Sequence, residues 1–233
     1  MADVAVLAGV GPGFCESFAR ELAENGRAVG LFARSDSYLE DLESTLLAEG
    51  LDVIAVPTDV TDPAAVAEGF AAVRDRFGTI DVLAHSASTT TGGTDDPIDA
   101  DRFEHMWRLY AYGGLLCFRE ALPDLRQTGG TVLFFGASPT AGDIAFKSGK
   151  DATRGLARGL ASEFASDGIH VAHVIIDGGL LNPDVYDGQE TVDEDAFIDI
   201  DAAARTCHHL VDQPAQANTF ELDLHAGNRP APL

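Results

Sequence analysis

Only two lysines occur in this 233-residue chain, and both fall within five residues, Phe146-Lys-Ser-Gly-Lys150. Every other Lys/Arg-type cation is an arginine. A chain so sparing of lysine that places two here has a use for an ammonium at this spot. Phe146 and Lys150 are four apart, so on a helix they share one face. The second chemistry-bearing stretch is Gly9-Val-Gly11-Pro-Gly13-Phe14-Cys15. Glycines at such a turn let backbone approach a pyrophosphate, which then rests on the N-terminus of the next helix. A tight turn that binds nothing has the same composition, so position must decide.

The elements that position these groups follow from periodicity. Val4–Leu7 reads as a buried strand, and Phe14, Phe18 and Leu22 then make one helical stripe that stops at Asn25-Gly26. Strands are expected over Ala28–Phe32, Val53–Val56, Ile80–Ala84, Thr131–Phe135, Ile169–Ile176 and Phe220–Leu224. Helices are expected over Tyr38–Glu49, Ala64–Phe77 after Thr61-Asp62-Pro63, Asp101–Leu122 and Ser148–Ser166. His208-His209 belongs to a last helix. Such β-α alternation with continuous apolar strands predicts a parallel sheet covered by helices on both faces. The chain reads as one α/β domain over residues 1–233, a single Rossmann-type doubly wound sheet, with no linker and no repeat. The glycine turn then lies between the first strand and first helix, where a nucleotide site belongs. Gly178–Asp199, rich in Asp and Gly, is the least regular stretch. It lies past the carboxyl end of a strand, where open α/β sheets bind ligands, and reads equally as a substrate loop or a solvated acidic one.

Two further positions bear on a nucleotide. The second strand ends Phe32-Ala33-Arg34. An acid there suits the ribose 2′-hydroxyl, whereas an arginine neutralises a 2′-phosphate, so Arg34 favours NADP(H) over NAD(H). A solvated arginine is the plainer alternative. Asp59-Val60 follows the third strand, and Asp59 reads as a cap near a helix start or, by the family resemblance set out below, as an adenine contact.

Charge bounds the partners. The formal net charge is −23, from 38 acids (25 Asp and 13 Glu) against 15 Lys+Arg. That surface disfavours nucleic acid and anionic membranes. It suits a high-salt cytoplasm, because at about 1 M salt the Debye length is only ~3 Å and like charges repel little. No basic leader precedes the first strand, and no apolar run approaches the ~20 residues of a span. Cys15, Cys117 and Cys207 are too scattered for a disulfide framework or a zinc site. His170 and His173, three apart on a strand, face opposite sides, and no metal site is expected. Trp107 and the phenylalanines read as core. Cys15 at a helix N-terminus reads as a small buried apolar residue, with a lowered thiol pKa as the alternative.

Taken together, these motifs resemble the short-chain dehydrogenase/reductase family over nearly the whole chain. Gly9 and Gly13 match its Gly-x-x-x-Gly-x-Gly, with Cys15 at the third glycine and Ala8 for its leading Thr. Phe146 and Lys150 match its Tyr-x-x-x-Lys, with Phe for Tyr. Trp107-Arg-Leu-Tyr110-Ala-Tyr-Gly113 matches its Asn-bearing turn, with Tyr110 at the Asn position. Ser86-Ala87-Ser88 stands for its Asn-Ala-Gly, Asp177-Gly178 for its Pro-Gly, and Asn182 falls where a Thr often holds the carboxamide. The closing stretches Gly168–Gly178 and Gln213–Leu224 fit a divergent subgroup with Phe for Tyr and an incomplete glycine motif.

The resemblance implies roles. Gly9, Gly11, Gly13, Phe14, Arg34, Asp59, Val60, Ser86, Ala87, Lys150, Gly178 and Asn182 would line the cofactor. Ser138 would orient substrate, although its link to Phe146 is several residues short. Phe146 cannot act as a general acid, a role worth about 10²–10⁴ in rate. Tyr110 is expected on Lys150's side of the sheet, where its phenol either supplies the lost proton or simply packs with a satisfied hydroxyl. The expected function is NADP(H)-dependent oxidoreduction of a small carbonyl, alcohol or enoyl compound. The alternatives are a degenerate partner or regulatory protein that binds nucleotide or nothing, and non-redox lyase or epimerase chemistry in the same pocket. Relatives pair through the two long helices, so a homodimer or homotetramer is expected.

Overall fold

The computed structural model describes residues 3–89, 98–138, 142–181 and 196–227. Its seven principal strands are β1 (Val4–Ala8), β2 (Ala28–Ala33), β3 (Val53–Pro57), β4 (Val82–His85), β5 (Thr131–Ala137), β6 (His170–Asp177) and β9 (Glu221–His225). They form one sheet in the order β3-β2-β1-β4-β5-β6-β9, and every pairing is parallel. The order reverses direction beside β1, which makes the sheet doubly wound and opens a crevice at the strand carboxyl ends.

Alternation along the strands feeds two cores. Val4, Val6 and Ala8 of β1 point into one, Ala5 and Leu7 into the other. On the second face lie α1 (Phe14–Glu24), α2 (Asp36–Ala48) and α7 (Ile200–Val211), with Phe18 and Leu22 of α1 almost wholly buried. On the first lie α3 (Pro63–Phe77), the long helix and α6 (Ile144–Glu163). Truncating a phenylalanine such as Phe18 to alanine would cost about 3–5 kcal/mol, through lost transfer energy and the cavity left behind.

The long helix differs from the expectation. It runs as α4 (Ala100–Trp107), a π-turn (Arg108–Tyr112) and α5 (Gly113–Thr128), passing the Pro123 at which the sequence suggests a stop. Arg74 shores up that turn by donating to the carbonyl of Glu120 and, at 2.7 Å, to Asp124. Gly129, in the left-handed region at φ 66°, ends it.

Helix α6 begins at Ile144 rather than Ser148, because Asp143 caps it: its carboxylate accepts the N–H of Phe146 at 2.8 Å. The same carboxylate takes Arg102 Nε at 2.6 Å, which ties the start of α6 to α4. The fourth strand is shifted, spanning Val82–His85 rather than Ile80–Ala84. Within Gly178–Asp199, two short strands, β7 (Leu180–Leu181) and β8 (Ile198–Asp199), pair in parallel. They are too brief to show as a pattern in sequence. Trp107 is not core: it is 45% exposed and stacks on Tyr112 at 6.0 Å. No described helix is long and apolar enough to cross a membrane.

Candidate active site

A cleft of about 1030 Å³ opens at the carboxyl ends of β1, β2, β4, β5 and β6. Gly9, Gly11 and Phe14 of the glycine turn, with Arg34, Asp59, Val60, Ser86, Ala87, Ser138, Phe146, Lys150 and Gly178, line it, whereas Gly13 of that turn does not. These residues are up to about 170 positions apart in sequence and meet because each ends a parallel strand or opens the following helix. Asn182 lies outside the described residues.

The turn is built from backbone constraints. Gly9 has φ 100°, and a Cβ there would sit 2.2 Å from Ala87 Cα, so only glycine closes β1 against β4. The N–H groups of Gly9 and Val10 both go to Phe32 O, at 2.9 and 2.8 Å. A Cβ on Gly11 would meet nothing within 4 Å, so this position faces open space. Behind it, α1 begins with first-turn N–H groups that have no acceptor within the helix. Room beside Gly11 and a helix N-terminus behind it fit the pyrophosphate of a dinucleotide.

Two side chains intrude on that arrangement. Glu16 Oε2 takes the N–H of Gly13 at 3.4 Å, and its other oxygen accepts the Tyr38 hydroxyl at 2.7 Å. Cys15 Sγ lies 3.1 Å from Ser86 Oγ. Burial pushes the Cys15 thiol up despite its hydrogen bond to Ser86, so the helix N-terminus does not make it a thiolate. The lowered-pKa alternative is thereby corrected, and so is full burial, since Cys15 is half-buried on the cleft wall where a strand end and a helix start leave it open.

At the adenosine end, Arg34 is exposed at the mouth of the cleft. Asp59 is partly committed elsewhere: Oδ1 accepts both the N–H and the hydroxyl of Thr61, each at 2.8 Å. Burial alone would raise this carboxyl, but the two Thr61 bonds bring it below its usual range. Asp62, not Asp59, caps α3, accepting Ala64 N at 2.9 Å.

At the other end Lys150 is the focus. It is only 8% exposed, and its Nζ donates to Phe135 O at 3.1 Å. Burial lowers its pKa from 10.5 to about 8. Phe146 stands one turn earlier on the cleft wall, an aromatic ring without a hydroxyl. Ser138 ends β5 on the same cleft, with its N–H on Ile176 O at 3.1 Å.

Tyr110 and Lys150 are brought together, but not through the phenol. Lys150 Nζ sits over the Tyr110 ring, 4.3 Å from its centroid. The hydroxyl is 3.5 Å from Ser88 Oγ, and Tyr110, 1% exposed, is not among the described residues lining the cleft. Burial pushes the phenol up, the wrong direction for a proton donor near neutrality.

Tyr38 and Thr58 also line the cleft without any local pattern that marks them, and Ser88, the last residue of Ser86-Ala87-Ser88, lines it too. Beneath the site, His85, Phe134 and His173 occupy one cross-strand row of β4, β5 and β6. Burial holds both histidines neutral, with pKa values lowered to about 4. The 3.5 Å approach of His173 to Glu221 is therefore no ion pair near neutral pH.

A doubly wound parallel sheet with a glycine turn after β1, and with Lys150 and Ser138 lining one cleft at the strand ends, is the α/β architecture in which dinucleotide-binding oxidoreductases are built. The short chain dehydrogenase profile matches residues 3–184, and the chain belongs to that family. It is 27% identical over 224 residues to an uncharacterized oxidoreductase of Staphylococcus aureus (strain USA300), covering 94% of this chain and 95% of the relative. An alcohol dehydrogenase from Thermococcus sibiricus, complexed with 5-hydroxy-NADP, superposes with a TM-score of 0.84 at 23% identity, covering 99% of each chain. L-Sorbose reductase from Gluconobacter frateurii, complexed with NADPH and L-sorbose, gives a TM-score of 0.85 at 21% identity, covering 97% of this chain and 96% of that one. These two likenesses speak to the fold.

Proposed function

We propose that the protein is an NADP(H)-dependent oxidoreductase acting on a small carbonyl, alcohol or enoyl compound, in a subgroup with Phe for the usual Tyr. The observation that carries this is Lys150: a buried ammonium kept at the base of the cleft that also holds the glycine turn, Arg34 and Ser138. Burying a lysine is costly, and a chain with only two would have little reason to bear that cost without a use for the charge. Two of the solved relatives named above carry NADP-type ligands, which agrees with the arginine at position 34.

In this reading the Gly9–Gly13 turn and α1 hold the pyrophosphate, Arg34 the 2′-phosphate, and Asp59 and Val60 the adenine. Ser86, Ala87, Gly178 and Asn182 flank the nicotinamide half, and Lys150 bonds its ribose. When bound, the dinucleotide supplies or accepts the hydride. Ser138 orients the substrate oxygen. The proton passes at Lys150 Nζ through a water in the space that a Tyr hydroxyl would fill, since Phe146 offers none and the Tyr110 phenol is turned away. The acidic surface suits a high-salt cytoplasm. A homodimer or homotetramer would cover Phe103, Trp107 and Leu115, which are 42–45% exposed on α4 and α5.

A second reading, a catalytically degenerate nucleotide-binding or partner protein, is favoured by Phe146 and by the Glu16 carboxylate at Gly13 N. The deciding experiment is titration with NADPH and NADH by calorimetry in multimolar KCl. Micromolar NADPH binding, weaker for NADH, together with NADPH consumption in a screen of small carbonyl and enoyl compounds supports the oxidoreductase, and binding without consumption favours the degenerate nucleotide-binding reading. Absence of binding by either nucleotide would sink the oxidoreductase reading and turn the search to a protein partner.

A further inference from the structure

We propose that Tyr110 is a positioning residue for Lys150 that acts through the face of its ring, its hydroxyl taking no part in proton transfer. The proposal deepens the reading of Lys150 given above and rests on it for its functional meaning, though not for its test.

The geometry is a seat for an ammonium. Nζ of Lys150 lies 4.3 Å from the Tyr110 centroid and 5.8 Å from that of Phe146, with Phe135 O at 3.1 Å. An ammonium has three donors, and Nζ of this largely buried lysine has one protein acceptor at 3.1 Å, so the π faces offset part of the lost solvation. The two rings are fixed against each other edge to face, 5.7 Å between centroids at 84°. The aromatic ring at position 146 thus completes the seat.

Three further features place the Tyr110 ring. The π-turn Arg108–Tyr112 widens the long helix at this residue. Gly149, on the facing turn of α6, leaves room for it: a Cβ there would lie 2.6 Å from Tyr110 Cδ2 and 3.1 Å from Met106 O. The Tyr110 hydroxyl pairs with Ser88 Oγ at 3.5 Å. Tyr110, Phe146 and Gly149 therefore form one matched set around Lys150. The ring holds the ammonium where a polar relay residue would otherwise be expected.

The scarcity of lysine makes the test clean. With carbon-13 at the lysine Cε, the protein yields two lysine signals, from half-buried Lys147 and buried Lys150. NMR in high salt, without nucleotide, should show one signal displaced by ring current and assigned to Lys150 by its loss in Lys150→Met. Tyr110→Phe should keep that displacement, and Tyr110→Leu should lose it. A wild-type Lys150 signal without displacement, a Leu variant that retains it, or a Phe variant that behaves like Leu would each overturn the proposal. Should Tyr110→Leu fail to fold, Gly149→Ala, which presses on the ring, should shift the displaced signal; an unchanged signal there overturns it too. None of these signals requires nucleotide binding or turnover. A failure of the oxidoreductase reading would leave the seat intact, and a failure of the seat would leave nucleotide binding to be judged by titration.

Discussion

Cys15 Sγ and Ser86 Oγ stand 3.1 Å apart, linking the first turn of α1 to the end of β4 at the floor of the cleft. The pair closes the place where the third glycine of the family motif would leave bare backbone. Cys15→Gly should therefore open the pyrophosphate site and tighten NADPH binding several-fold. It should also lower the melting temperature, since Gly in a helix costs about 1 kcal/mol relative to Ala. Paired calorimetry and thermal unfolding check both effects. NADPH affinity unchanged or weakened would mean that the thiol does not crowd the site.

Arg34 lies at the mouth of the cleft, exposed and close enough to Asp59 to favour its ionised form. A charge-assisted bond to a 2′-phosphate is worth about 1.5–3 kcal/mol, or roughly 10- to 150-fold in affinity. Arg34→Ala should weaken NADPH by that factor and leave NADH nearly untouched. An equal loss for both nucleotides would assign Arg34 to general electrostatics instead of cofactor choice.

Restoring the missing hydroxyl is the direct test of the atypical site. Phe146→Tyr should raise NADPH-linked turnover, by up to the ~10²–10⁴ that general acid catalysis contributes. The comparison belongs at a fixed pH near neutrality, with a screen of small ketones, aldehydes and enoyl compounds. Equal rates in both proteins would show that the proton already arrives efficiently by another route.

Lys150 gives a pH signature with a definite sign. The unfolded chain keeps its lysine proton up to about 10.5, while burial brings the folded value to about 8. Between these limits the unfolded state binds more protons, so the folded state gains stability as pH rises. Lys150→Met should therefore be more stable than the wild type below about pH 8, and the gap should close towards pH 10.5. Urea unfolding of both proteins across this range in concentrated KCl measures it. A gap that stays constant with pH would mean that the ammonium is better solvated by its aromatic seat than burial suggests.

Much of this protein is legible along the chain. The apolar strands, the stripe Phe14–Phe18–Leu22, the Asp62-Pro63 start and the glycine stops are local signals, because each reflects backbone sterics or a fixed helical period. They suffice for a doubly wound parallel sheet, for the glycine turn between β1 and α1, and for Lys150 as the residue of interest. Boundaries were less legible where a distant partner sets them. Asp143 caps α6 while paired with Arg102, and Arg74 braces the helix through Pro123.

What only the tertiary structure decided is how groups far apart in sequence face one another. Composition could not show that Tyr110 offers Lys150 a ring and pairs its hydroxyl with Ser88, or that Gly149 makes space for that ring. Nor could it show that burial raises the Cys15 thiol rather than lowering it, or that Glu16 reaches Gly13 and Tyr38. Periodicity reports the direction in which a side chain leaves its own element. The solvation and charge it then meets come from other elements, and these set its chemistry.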